Sequence, residues 1–85
     1  MKVKVLFFAA LREQVGASSE DIDLPGEKST IAALRSHLAA RGGAWQSALS
    51  EKKLLRFAIN QDMAAPDALL KAGDEVAFFP PVTGG

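Results

Sequence analysis

Residues 2–8, KVKVLFF, decide the fold. Lys2 and Lys4 alternate with Val3, Val5 and Phe7, and a period of two in β-branched and aromatic residues marks a strand with one buried face. By the same alternation Leu6 and Phe8 fall on the side of the lysines, so two large apolar groups are expected on the nominally wet face. The following LREQVGASSED reads as a short helical turn ending at Gly16 and then a polar loop. DIDLPG reads as a second strand, with Ile22 and Leu24 pointing one way and a turn at Pro25-Gly26. Two strands so close in sequence predict a hairpin with a wide loop.

The clear helix is STIAALRSHLAARGG. Ser29 or Thr30 can cap its first amides, Ile31, Leu34 and Leu38 recur on one face, and Gly42 can supply a left-handed stop. AWQSALSEKK reads as a loop or short helical turn with Trp45 and Leu49 tucked inward. In LLRFAINQ, Leu55, Phe57 and Ile59 alternate with Arg56, Ala58 and Asn60, which is a strand; Met63 falls in a connecting piece and Ala72-Gly73-Asp74 in a turn. EVAFFPP is the last strand, Val76 and Phe78 inward, Ala77 and Phe79 outward. This order predicts an α+β roll: a mixed sheet, one main helix packed across one face, the last strand beside the first, and the other face partly open. Leu6, Phe8 and Phe79 would then share the open face as a docking patch, or alternatively form core beneath the loop holding Trp45.

Composition narrows the function. Ten acidic and ten basic residues leave no net charge, which argues against a nucleic-acid binder. Without cysteine there is no disulfide, thiolate metal site or thiol nucleophile. No signal peptide and no membrane-length apolar run is evident, so a cytoplasmic protein is expected. His37, the single histidine, lies off the helix's apolar face with no partner. Glu20, Asp21 and Asp23 lack calcium-loop spacing, Asp74-Glu75 reads as turn chemistry, and Gly42-Gly43 end a helix instead of opening one, so they are no phosphate cradle. No metal site and no catalytic side chain is expected.

What remains is the end of the chain, FFPPVTGG, Phe78 to Gly85. We expect a folded unit over residues 1–79 and an extended, flexible tail over 80–85. A carboxylate activated as an acyl-adenylate accepts amine, thiol or sulfide nucleophiles. Gly84 and Gly85 have no Cβ and let the backbone approach another enzyme's catalytic groups closely. Pro80-Pro81 stiffens the base of the tail, Val82 and Thr83 continue it, and the six residues reach roughly 20 Å. Gly-Gly alone suits a frayed end equally well; an outward Phe, two prolines and a Val leading into it favour a working tail.

LFFAALREQVG at the start and GDEVAFFPPVTGG at the end resemble the ubiquitin-like β-grasp proteins, and among them the sulfur-carrying small subunits of molybdopterin synthase. The resemblance spans essentially the whole chain. It implies that the Gly85 carboxylate is adenylated by an ATP-using, E1-like adenylyltransferase and becomes a thiocarboxylate with sulfur from a cysteine-desulfurase relay. The tail would then insert into the large synthase subunit and donate sulfur to cyclic pyranopterin monophosphate, building the dithiolene. It further implies a heterotetramer, no bound cofactor, and an interface made by Phe8, Arg12, Met63 and Phe79. A chain finishing at Gly85 would need no processing protease. A thiamine-type sulfur carrier, a lysine-conjugating modifier and a plain binding module stay open as alternatives.

Overall fold

The computed structural model describes residues 1–81. Strand β1 (Lys2–Phe7) buries Val3, Val5 and Phe7 and exposes Lys2 and Lys4. Ala9 then takes a left-handed φ of 56°, turning the chain sharply after Phe8. Helix α1 (Ala9–Val15) follows and is closed by Gly16, whose φ of 77° lets its N–H donate to the Arg12 carbonyl. Strand β2 (Ser19–Asp23) returns antiparallel to β1, with Val3 opposite Ile22, so the expected hairpin forms.

A two-residue strand β3 (Ser29–Thr30) leads into α2 (Ile31–Ala39), where Thr30 Oγ1 accepts from the Ala33 N–H at 3.1 Å as the helix cap. Helix α3 (Gly43–Leu49) and strands β4 (Arg56–Ile59), β5 (Asp62–Ala64), β6 (Leu69–Leu70) and β7 (Glu75–Phe79) complete the order. The main sheet runs β2-β1-β7-β4-β5, with β1 and β7 parallel at its centre; β3 and β6 pair as a separate ribbon. The last strand therefore lies beside the first, as the chain order requires.

One face of this sheet carries the core. Val3, Val5, Phe7, Val76 and Phe78 pack with Ile31, Leu34 and Leu38 of α2 and Leu49 of α3. Phe78 meets Phe57 edge-to-face at 5.3 Å and Phe7 at 6.3 Å, while Phe7 also meets Trp45 at 5.4 Å. Trp45 thus sits on the helix side and cannot cover Leu6, Phe8 or Phe79, which removes the alternative packing.

Three local expectations change. Gly42 does not close α2, which ends at Ala39 with a right-handed Ala40; at φ 78° it is the N-cap of α3, so the glycine pair opens a short helix after all. Met63 lies not in a connector but in β5, the fifth strand of the sheet, because Asn60 and Gln61 at φ 50° and 73° make a tight two-residue hairpin turn. Asp74 is more than a turn residue: 7% exposed, its carboxylate accepts from Asn60 Nδ2 at 3.0 Å and the Lys71 N–H at 2.8 Å. Asn60 Oδ1 in turn accepts from the Glu75 N–H at 3.0 Å, so this clasp pins the β4–β5 turn to the start of β7.

Two arginines tie the helices down. Arg35 donates to the carbonyls of Leu49 at 2.8 Å and Lys53 at 2.7 Å, and to that of Ser50, satisfying the free end of α3. Burial lowers its pKa from the usual guanidinium value, with Glu51 pulling the other way. Arg41 forks onto Glu20 at 2.8 and 2.9 Å and stacks over Trp45 at 4.5 Å. The Arg41 hydrogen bonds hold the Glu20 carboxyl below its ordinary pKa, against a smaller opposing effect of burial. A lowered folded-state pKa stabilises above the unfolded value and is lost as pH falls through the folded one. Glu20→Gln should therefore cost at most about 1 kcal/mol at neutral pH, the pair being about a third exposed, with the deficit shrinking once pH falls below the unfolded value of about 4.3 and gone below the lowered folded-state pKa. Urea unfolding of both proteins across that range checks this.

Candidate functional site

Pleating sends alternate residues of β1, β7, β4 and β5 to the face away from α2, and the register aligns them. Leu6 lies opposite Ala77, Ala77 opposite Ala58, and Ala58 opposite Met63. Four strands therefore carry one apolar row about 14 Å across. Its middle is two alanines and its ends are long side chains, so the row is a shallow trough. Ala58 points outward yet is only 7% exposed, sitting below its longer neighbours, whereas Met63 is 62% exposed.

The next row lies at the end of the sheet where the chain leaves it. The Phe8 N–H donates to the Phe78 carbonyl at 3.2 Å, which places Phe8 beside Phe79. The extended Phe8 and the left-handed Ala9 end β1 at that point, leaving Phe8 47% exposed. Phe79 is half-buried and faces Arg56 on β4. Arg12 is exposed, and its N–H donates to the Phe8 carbonyl at 3.4 Å, which sets the first turn of α1 beside Phe8. Pro80 and Pro81, both half-buried, carry the chain on from Phe79.

Of the residues singled out from sequence, Phe8 and Phe79 are thus neighbours, Arg12 adjoins Phe8, and Met63 closes the far end of the trough. Val82, Thr83, Gly84 and Gly85 lie outside the described residues. Sequence reasoning did not single out Ala58 and Arg56, whose places opposite Ala77 and Phe79 depend on pairing between strands distant in the chain. Among the described residues, no three His, Cys, Asp or Glu side chains gather where they could hold a metal ion, and no helix is long and apolar enough to cross a membrane. The arrangement offers an apolar surface able to dock a partner at the end of the sheet where the chain leaves it.

The ThiS family model matches residues 5–85. The chain is 51% identical over 85 residues to the molybdopterin synthase sulfur carrier subunit of Escherichia coli, covering 98% of this chain and 99% of that one. Among solved structures it resembles small archaeal modifier protein 1 of Haloferax volcanii, with a TM-score of 0.76 and 26% identity over 95% of this chain and 98% of that one. It also resembles a chain of the complex of subunits 1 and 2 of the molybdopterin-converting factor from Helicobacter pylori, with a TM-score of 0.67 and 23% identity over the whole of both chains. The chain has the ubiquitin-like β-grasp fold these neighbours share.

Proposed function

The chain belongs to the ThiS family, and we propose that it is the sulfur carrier subunit of a molybdopterin synthase, working through the Gly85 carboxylate. The observation that carries this reading is the continuity of the apolar face with the last strand: the trough and the Phe8–Phe79 pair lead directly into PPVTGG. A surface that docks a partner and a tail that enters it are then parts of one device. The folded unit is residues 1–79 and the inserting segment is 80–85.

The chemistry follows from what a carboxylate lacks. Its carbon is a poor electrophile, so a carboxylate oxygen first attacks the α-phosphorus of ATP on an E1-like enzyme, releasing pyrophosphate. The terminal sulfur of a persulfide, supplied by a cysteine desulfurase relay, then attacks the carbonyl carbon and AMP leaves. Reduction of the resulting acyl disulfide by a thiol frees the thiocarboxylate. Docked on the large subunit, that sulfur attacks a side-chain carbon of the pterin precursor, where a carbon–oxygen bond breaks and the oxygen leaves. Water then cleaves the resulting thioester, freeing the new thiol and returning the carboxylate. Phe8, Arg12, Met63 and Phe79 form the interface in this reading, and two carriers serve a dimer of large subunits in the cytoplasm. The chain contributes no cofactor of its own; ATP is the activating enzyme's substrate.

A second reading, conjugation of Gly85 to lysine amines, draws on the likeness to the Haloferax modifier protein. It uses the same acyl-adenylate with a different nucleophile. Intact-mass analysis of the protein from cells making the cofactor separates the two. The carrier reading expects one terminal oxygen exchanged for sulfur. Branched adducts on other proteins support conjugation, and an unmodified end under those conditions overturns both.

A further inference from the structure

Arg56 is the cation in the otherwise apolar half of the open face. It is exposed and lies directly opposite Phe79 in the β4–β7 register. With Leu55, Phe57 and residues 63–66 it lines a recess of about 390 Å³ along the β4–β5 edge, and the other lining residues are all apolar types. Among the described residues the ion pairs are Met1 ammonium with Asp23 and Arg41 with Glu20, and no carboxylate of those residues pairs with Arg56. The outward acid of the neighbouring strand, Glu75, is four residues back from Phe79 along β7, about 13 Å away.

Closing an apolar surface over this face would strip water from the guanidinium. That is costly unless the partner supplies a negative acceptor, and the planar fork of Arg fits a carboxylate with two parallel hydrogen bonds. A partner lacking that carboxylate is rejected, because it leaves a desolvated charge unpaired. We propose that Arg56 is the specificity determinant of the docking face, reading a carboxylate of the large synthase subunit whose adjoining apolar side chain fills the recess beside it. The inference rests on the carrier reading above and adds to it the chemistry that selects the partner.

Calorimetric titration of the full chain with the purified large subunit of the same organism, at low and high salt, tests it. Arg56→Ala should weaken binding about tenfold and flatten its salt dependence. Arg56→Glu should weaken it about a hundredfold, and Arg56→Lys should recover only part of the loss, having charge without the fork. Urea midpoints should stay with the wild type, since the side chain is exposed. Binding of Arg56→Ala and Arg56→Glu within about twofold of wild type overturns the proposal, as does a loss in Arg56→Ala with unchanged salt dependence, which would assign the effect to the aliphatic stem. If the wild type itself fails to bind the large subunit, it is the carrier reading that falls.

Discussion

Deleting Gly85 is expected to abolish sulfur transfer in a reconstituted synthase assay while leaving the folding midpoint unchanged. Among the described residues the buried core runs from Val3 to Phe78, so the fold is expected to survive loss of the last residue. The chemistry, by contrast, depends on where the terminal carbonyl carbon sits. Losing one extended residue withdraws it by about 3.3 Å, when a misplacement of about 1 Å at a reacting centre already costs on the order of a hundredfold. The same argument predicts that one Ala added after Gly85 fails equally, by overshoot and by placing a Cβ where only glycine lets the backbone close in. Two assays locate the defect: ATP–pyrophosphate exchange with the activating enzyme reports adenylation, and product formation with pre-formed thiocarboxylate reports transfer. Transfer retained at the wild-type rate by the shortened chain would sink the terminal-carbonyl mechanism.

Much of this device can be read in the sequence because it is written in short-range periodicity. Alternation in Val3-Val5-Phe7 and in Val76-Phe78 assigns those residues to the core and, with it, Leu6 and Phe79 to the other face. Thr30 and the Ile31-Leu34-Leu38 stripe give the start and inward side of α2. What escapes has no short-range signature. The β4–β5 hairpin turns at Asn60-Gln61, both at positive φ, without the glycine that usually announces such a turn; Asn60 is held there by Asp74, fourteen residues on. With β5 unseen, Met63 appears as a linker residue, and the trough from Leu6 to Met63 has no far end. Gly42 misleads for a related reason: a positive-φ glycine serves a helix end or a helix start equally well, and only the contacts of α3 with α2 and α1 decide which. Ala58 and Arg56 become part of the face only through the β4–β7 register, a long-range pairing that no local pattern encodes.

Adjacent phenylalanines at the end of β7 should respond to truncation in opposite ways. Phe78 is fully buried, packed edge-to-face against Phe57 and Phe7, so Phe78→Ala leaves a cavity at the centre of the core. Such a change costs about 3–5 kcal/mol, a large part of what a domain this size has, and should lower Tm by more than about 10 °C. Phe79 is half-buried beside Phe8 on the open face. Phe79→Ala should cost about 1 kcal/mol or less in stability, because the surface it loses is already partly wet. Its effect belongs to docking: burying a Phe contributes about 1.5–3 kcal/mol, so affinity for the large subunit should fall roughly tenfold to a hundredfold. Thermal unfolding and calorimetric titration on the two variants separate these effects. A sharp fall in Tm for Phe79→Ala with binding intact would mean that β7 presents its other side to the partner. The pairing of Ala77 with Leu6 and Ala58 argues against that, since slipping β7 by one residue would bring Phe79 inward and turn Phe78 out to water.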